Sequence, residues 1–281
     1  MGAHRFRILN VFTRRRGTLT GNPLCVFEQS AGLDGATMQA LARQFNLSET
    51  TFIAPSSRAA ASVRIFTPAY ELPFAGHPTL GTAHVCRALG LGGDVLKLDM
   101  KAGIIEVEAN GDRWTLTAPQ SSFRDIDVPR GILADALGLE EADIDERPLW
   151  VKAGKEQLIV PLRSPDAVLR ASPSASSMAA VRSEDGIGMA YVFAPSGPAQ
   201  VLARFFFPSG PTMLEDPATG SATANFGGWC LAMNRPLPLA LEISQGESAG
   251  RPSTLYLDVT SEQRILVGGD VIEVGAGSMT L

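Results

Sequence analysis

Three side chains able to handle protons stand at element boundaries in this chain: Glu49, His77 and Asp216. A carboxylate held close can take a proton from carbon. An imidazole can hold or pass one, and a second carboxylate can orient a donor. Glu49 lies in Leu47-Ser48-Glu49-Thr50-Thr51-Phe52, at a break between a helical pattern and a β-branched run. His77 follows Phe74-Ala75-Gly76, and Asp216 opens Asp216-Pro217-Ala218-Thr219-Gly220-Ser221. Each alone also fits a plainer duty: a solvated loop Glu, a structural His beside Pro, an Asp that caps a helix.

What lifts them above that is a repeat. Pro78-Thr79-Leu80-Gly81-Thr82-Ala83 aligns with Pro217-Ala218-Thr219-Gly220-Ser221-Ala222, 139 residues later. Arg64-Ile65-Phe66-Thr67-Pro68 aligns with Arg204-Phe205-Phe206-Phe207-Pro208, 140 residues later. Half-chain spacing implies two similar halves. The shared motif reads as a helix start whose first N–H groups lack intrahelical partners, an end that attracts an anion. Gly81-Thr82 and Gly220-Ser221 are expected to begin two buried central helices whose starts face one cleft. In this register His77 matches Asp216, whereas Glu49 matches Met189 and has no polar counterpart. Function is expected where the symmetry breaks.

The elements that would position these groups follow from periodicity. Strands are expected at 6–12, 24–27, 50–54, 63–66, 95–100, 104–109 and 114–118. Asp34 can cap a helix with Met38, Leu41, Ala42 and Phe45 on one face. The first motif helix is expected from Thr79 to Leu89, ending at Gly90. In the second half, strands are expected at 159–162, 189–194, 201–207, 239–244, 254–259, 265–267 and 271–274. Helical stretches are expected at 166–171, 174–182 and 218–233. The segment 119–149 reads as a polar, irregular crossing with one short helix. The fold class is α+β, with each half a curved, mainly antiparallel sheet barrel around a central helix. Residues 1–118 and 119–281 are expected to form the two domains, with a return of the last strands to the first left open.

Composition narrows the function. The net charge of −5 argues against a phosphate-backbone partner, so no nucleic acid is expected. No apolar run reaches membrane-span length, and MGAHRFRILN has no signal core. Arg14-Arg15-Arg16-Gly17 reads as a solvated basic turn. Cys25, Cys86 and Cys230 are scattered in apolar company, as expected of reduced thiols in a cytoplasmic protein. The three histidines have no zinc spacing, and no metal is expected.

The motifs together resemble the phenazine-biosynthesis isomerase-like (PhzF-like) family of the diaminopimelate epimerase superfamily. The resemblance rests on Gly21-Asn22-Pro23, the Ser48-Glu49 segment, Arg64–Pro68, Glu71–Thr79, Glu215–Ala222 and Val267-Gly268-Gly269-Asp270, and spans nearly the whole chain. One departure is Asn10, where the pattern has Asp. The resemblance implies a cofactor-free acid–base isomerase, commonly a homodimer, acting on a small anionic substrate such as a dihydro-hydroxyanthranilate. It implies a proton-carrying Glu49 supported by His77 and Asp216, with Ser48, Gly76, Gly220 and Ser221 near the ligand. Epimerases of the superfamily use two facing cysteines at the helix entrances. Cys86 and Cys230 lie well down their helices, so two-thiol chemistry is not expected. A one-base epimerase and a non-catalytic small-acid binder remain the alternatives.

Overall fold

The computed structural model describes residues 2–14 and 19–281. Apart from Arg14, the expected basic turn lies outside the described residues. The chain divides into two compact units, Met1–Thr117 with Gly268–Leu281, and Ala118–Val267. The first contains β1 (Ala3–Val11), β2 (Asn22–Phe27), α1 (Gly35–Phe45), β3 (Glu49–Ala54), β4 (Ala61–Phe66), β5 (Glu71–Leu72), α2 (Gly76–Ala88), β6 (Val95–Met100), β7 (Gly103–Asn110) and β8 (Arg113–Thr117). The second contains β9 (Ser122–Asp125), α3 (Arg130–Leu137), β10 (Leu149–Lys152), β11 (Glu156–Pro161), α4 (Pro165–Arg170), β12 (Ala190–Gly197), β13 (Gln200–Ser209), β14 (Thr212–Asp216), α5 (Gly220–Ala232), β15 (Leu239–Gln245) and β16 (Ser253–Val259). The last strand, β17 (Ile265–Thr280), starts in the second unit and ends in the first.

In the first unit eight strands close on themselves. β1 pairs with β2, β2 with β3, β3 with β4, β4 with β6, β6 with β7 and β7 with β8. β8 then pairs with β17, and β17 returns to β1. Two of these pairings, β2–β3 and β4–β6, are parallel and need crossovers, which α1 and α2 supply. The second unit repeats the order: β10–β11 antiparallel, β11–β12 parallel across α4, β12–β13 antiparallel, β13–β15 parallel across α5, β15–β16 antiparallel. The fold is α+β.

Local chemistry explains the elements. The Asp34 carboxylate accepts from Thr37 N–H at 2.8 Å to start α1, and Asn46 ends it at φ 51°. Met38, Leu41 and Ala42 are buried, and Phe45 packs against the same cluster of Phe27, Phe52 and Phe66. The central helix α2 touches β1, β2, β3, β4, β6 and β8. A helix walled by strands must be apolar or small on nearly every side. Leu80, Gly81, Thr82, Ala83, Val85 and Cys86 are all buried. The Thr82 hydroxyl meets that of Thr51 at 2.8 Å, which satisfies both.

Four expectations are corrected. First, α2 begins at Gly76, so Gly81-Thr82 lie in its second turn, while Gly220 does begin α5. The two helices match at an offset of 144, not 139. Gly76 and Gly220 start them, and Leu91 N–H to Cys86 C=O at one end matches Arg235 N–H to Cys230 C=O at the other. Left-handed Gly90 and Asn234 follow the last turns. His77 therefore corresponds to Ser221 rather than Asp216. The six-residue match was a coincidence of small residues. Second, 119–149 is not an irregular linker. The short helix expected near Ile132–Leu137 is present as α3, whose Leu133 and Leu137 are fully buried, but the segment also carries β9, which pairs with β10. Third, only Ser177–Ala180 of 174–182 is helical, as a short 3-10 turn. Fourth, 265–267 and 271–274 are one strand, because Gly268 and Gly269 stay extended where a Cβ would strike Trp114 and Phe12.

Gly81 has a packing reason to lack a side chain. A Cβ there would come within 2.5 Å of Leu24 Cδ2 and 2.9 Å of Val11 Cγ2. Gly81→Ala is expected to destabilise the protein by about 1–3 kcal/mol through overpacking, read as a lower urea midpoint at unchanged slope. Gly93→Ala, with nothing within 4 Å of the new Cβ, is the control and should shift stability by less than about 0.5 kcal/mol.

Candidate active site

In the first unit the site is assembled at the start of β2. Gly21 has φ 81°, and a Cβ there would lie 2.6 Å from Val11 C=O, so the turn needs glycine. Asn22 and Pro23 then enter β2 opposite Val11 and Asn10. The Pro23 carbonyl accepts a ring N–H of His77, the second residue of α2. Glu49 begins β3 beside Leu24 of β2. These neighbouring elements bring Glu49 Oε2 to 3.2 Å from His77 Nε2. The Ser48 hydroxyl donates to Asn22 Oδ1 at 3.3 Å.

The His77–Glu49 contact is not an ion pair. Burial pushes the His77 pKa from 6.5 down to about 3, and the Pro23 bond raises it by less. The imidazole is neutral at physiological pH. Nε2 lies 3.2 Å from Glu49 Oε2 without an aligned hydrogen bond, so the two groups are in close contact rather than bonded.

In the second unit Asp216 ends β14, four residues before α5. Its Oδ2 accepts from the Thr219 hydroxyl. Gln245, fully buried, donates from Nε2 to Thr219 Oγ1 at 3.0 Å and to Asp216 C=O at 2.9 Å, and its Oε1 accepts from Thr219 N–H at 3.4 Å. Gly220 is the first residue of α5 and Ser221 the second. Ser221 Oγ accepts from Gln157 Nε2 at 3.1 Å.

Each central helix is delivered by the same device. Arg64 grips Glu71 with two bonds of 2.7 and 2.9 Å and lies over the Phe66 ring. Arg204 grips Glu215 at 2.7 Å and lies over Phe206. Both glutamates stand five residues before the helix start. The starts themselves are left open. α1 and α4 are capped by Asp34 and Ser164, whereas neither Ala75 nor Thr219 gives α2 or α5 a side-chain cap. First-turn N–H groups without intrahelical partners favour an anion.

Of the expected site residues, Glu49, Gly76 and His77 gather at the start of α2, and Gly220 and Ser221 at that of α5. Asp216 engages Thr219 rather than capping the α5 backbone. Sequence reasoning missed Thr219, Gln245, Gln157 and Asn225. Gln157, immediately before the apolar run Leu158–Val160, and Asn225, inside a helix rich in small residues, were the available signals. The thiols offer no competing chemistry: burial pushes Cys86 and Cys230 up to about 12. Among the described residues, no three His, Cys, Asp or Glu side chains converge as a metal site, and no helix is long and apolar enough to cross a membrane. Two surface pockets, of about 320 and 420 Å³, are lined by other residues.

The pattern of a family described as phenazine biosynthesis-like protein matches residues 9–277. The chain belongs to that family. An uncharacterized isomerase of Pasteurella multocida is 37% identical over 98% of this chain and 94% of its own. The trans-2,3-dihydro-3-hydroxyanthranilate isomerase of Pseudomonas aeruginosa is 33% identical over 90% and 89%. The crystal structure of a PhzF-family phenazine biosynthesis protein from Bacillus anthracis matches with a TM-score of 0.88 over 100% of both chains at 24% identity. A hydroxyproline epimerase of Agrobacterium vitis, 12% identical over 99% of this chain and 93% of its own, shares the fold at a TM-score of 0.63. This phenazine biosynthesis-like protein is an isomerase of the epimerase-like fold.

The neutral His77 has a consequence for stability. Below pH 6.5 the unfolded chain takes a proton on this residue that the folded site resists. The contribution of neutral His77 is complete above pH 6.5 and is lost as pH falls toward about 3, by at most roughly 1.4 kcal/mol per pH unit. Urea titrations between pH 7 and 4.5 are expected to show a shallower fall for His77→Gln than for wild type. Parallel slopes would remove the assignment.

Proposed function

We propose that this isomerase moves a proton between carbons of a small cyclic or unsaturated carboxylic acid, with Glu49 as the acid–base group. The observation that carries this reading is the 3.2 Å approach of Glu49 Oε2 to Nε2 of His77, beside an uncapped helix start. A carboxylate that takes a proton from carbon becomes a donor. His77, kept neutral by burial, adds no positive charge that would hold the carboxylate ionised, and a small rotation of either side chain lets its ring nitrogen share the new proton before it returns to the substrate. A charged His77 would instead favour the carboxylate and weaken it as a base. Charge left on the substrate is delocalised into its unsaturated carboxyl system and met by N–H groups at a helix start. Asp216, held by Thr219, orients a donor group of the substrate.

The name of the Pseudomonas aeruginosa relative supplies the probe, trans-2,3-dihydro-3-hydroxyanthranilate. In deuterated water the wild type is expected to place deuterium on a ring carbon as the double bonds migrate. Glu49→Gln keeps the volume and hydrogen-bonding reach but cannot accept the proton. It should keep the fold and probe binding and lose exchange by at least about 100-fold. Cys86→Ala with Cys230→Ala should exchange as wild type. Exchange at full rate in Glu49→Gln sinks the mechanism. Deuterium at a stereocentre without bond migration identifies a one-base epimerase.

A further inference from the structure

Gln157 and Asn225 are buried polar residues that the proposed chemistry does not use, 3% and 0% exposed. Their hydrogen bonds form a directed chain. The Ala153 N–H can only donate, so the Asn225 atom 2.6 Å away is its carbonyl oxygen. The Lys155 C=O can only accept, and it receives Asn225 Nδ2 at 2.9 Å. The same Nδ2 donates to Gln157 Oε1 at 2.8 Å. That leaves Gln157 Nε2 to donate to Ser221 Oγ at 3.1 Å. Two backbone groups on the β10–β11 turn therefore fix both amide orientations. They also fix one lone pair of the Ser221 hydroxyl as an acceptor, so its proton must point elsewhere. That proton meets no acceptor among the described residues.

The second unit shows what such a hydroxyl does. Gln245 Nε2 donates to the Thr219 hydroxyl in the same way, and Thr219 passes its own proton to the Asp216 carboxylate. We infer that Gln157, oriented by Asn225, is a positioning residue that makes Ser221 an obligate hydrogen-bond donor toward a carboxylate of the bound molecule at the start of α5. The inference rests on the proposed reading that an uncapped central helix start meets the substrate's negative charge, and places its carboxylate at the start of α5.

The test uses the full chain, labelled with nitrogen-15 and titrated with benzoate as the carboxylate probe, following the Ser221 and Ala222 amides. Wild type is expected to bind. Gln157→Glu at neutral pH replaces the donor by an acceptor that captures the Ser221 proton. It should bind about tenfold or more weakly, the scale of one hydrogen bond to a charged group. Affinity should recover as pH falls and the new carboxyl protonates, since its O–H then donates to Ser221. In a Ser221→Ala background the same change should cost nothing further. If Gln157→Glu does not fold, Gln157→Met removes the donor at similar volume. It should weaken binding about threefold, again only while Ser221 is present. Benzoate that leaves the wild-type amides unmoved overturns the carboxylate reading and this inference with it. Wild-type binding that persists in the Gln157 variant, or a loss undiminished in Ser221→Ala, overturns the inference alone.

Discussion

A helix buried inside a sheet barrel can offer a ligand only its ends, and that constraint shapes this molecule. Strands surround α2, so its side chains are spent on packing: Gly81 against Leu24, Thr82 against Thr51, Val85 and Cys86 in the core. The polar group that remains to be offered is the first turn of backbone. Surface helices α1 and α4 close that turn with Asp34 and Ser164, and the two central helices do not. α3, which follows Pro129, also lacks a side-chain cap, so an open start is shared with the central helices and not unique to them.

The repeated units use one frame for unequal purposes. At the second helix position, His77 in one unit is replaced by Ser221 in the other, and each is tied to the neighbouring strand segment, by Pro23 or by Gln157. At the strand entry, Glu49 is replaced by a buried Met189. One unit thereby acquires a glutamate and a neutral imidazole in close contact. The other acquires neutral donors arranged by two glutamines. Shared topology delivers both through the same Arg–Glu grip ahead of the helix.

Much of this was legible in the sequence. The capping Asp34, the periodic face of α1, most strands, and Glu49 at an element boundary all follow from local rules. The α+β class and the family follow from motifs spread over the chain. The helix register was not legible. Proline, glycine, threonine and alanine recur near any helix start, so six of them can align five residues out of phase. What marks the true phase lies just outside the motif: the Arg64–Glu71 and Arg204–Glu215 pairs ahead of the helices, and the left-handed residues Gly90 and Asn234 after them. Thr219 and Gln245 gave no sequence signal, and Gln157 and Asn225 only a faint one, a polar residue in apolar or small company. A buried amide declares itself only through its partners, and those lie up to 72 residues away.

The strand β17 has a consequence for biosynthesis. Its residues 268–280 supply the eighth wall of the first barrel, with Thr280 opposite Ala3 and Met279 opposite His4. Everything else in that barrel is made within the first 117 residues. During translation β1 and β8 must wait, with unpaired edges, while the whole second unit is synthesised. The closing contacts span almost the full chain, the costliest kind of loop to shut. The second unit has no such delay, since its residues are contiguous from Ala118 to Val267. The order of folding is thus the reverse of the order of synthesis: the half made last can finish first, and the half bearing Glu49 and His77 is sealed only when the tail arrives.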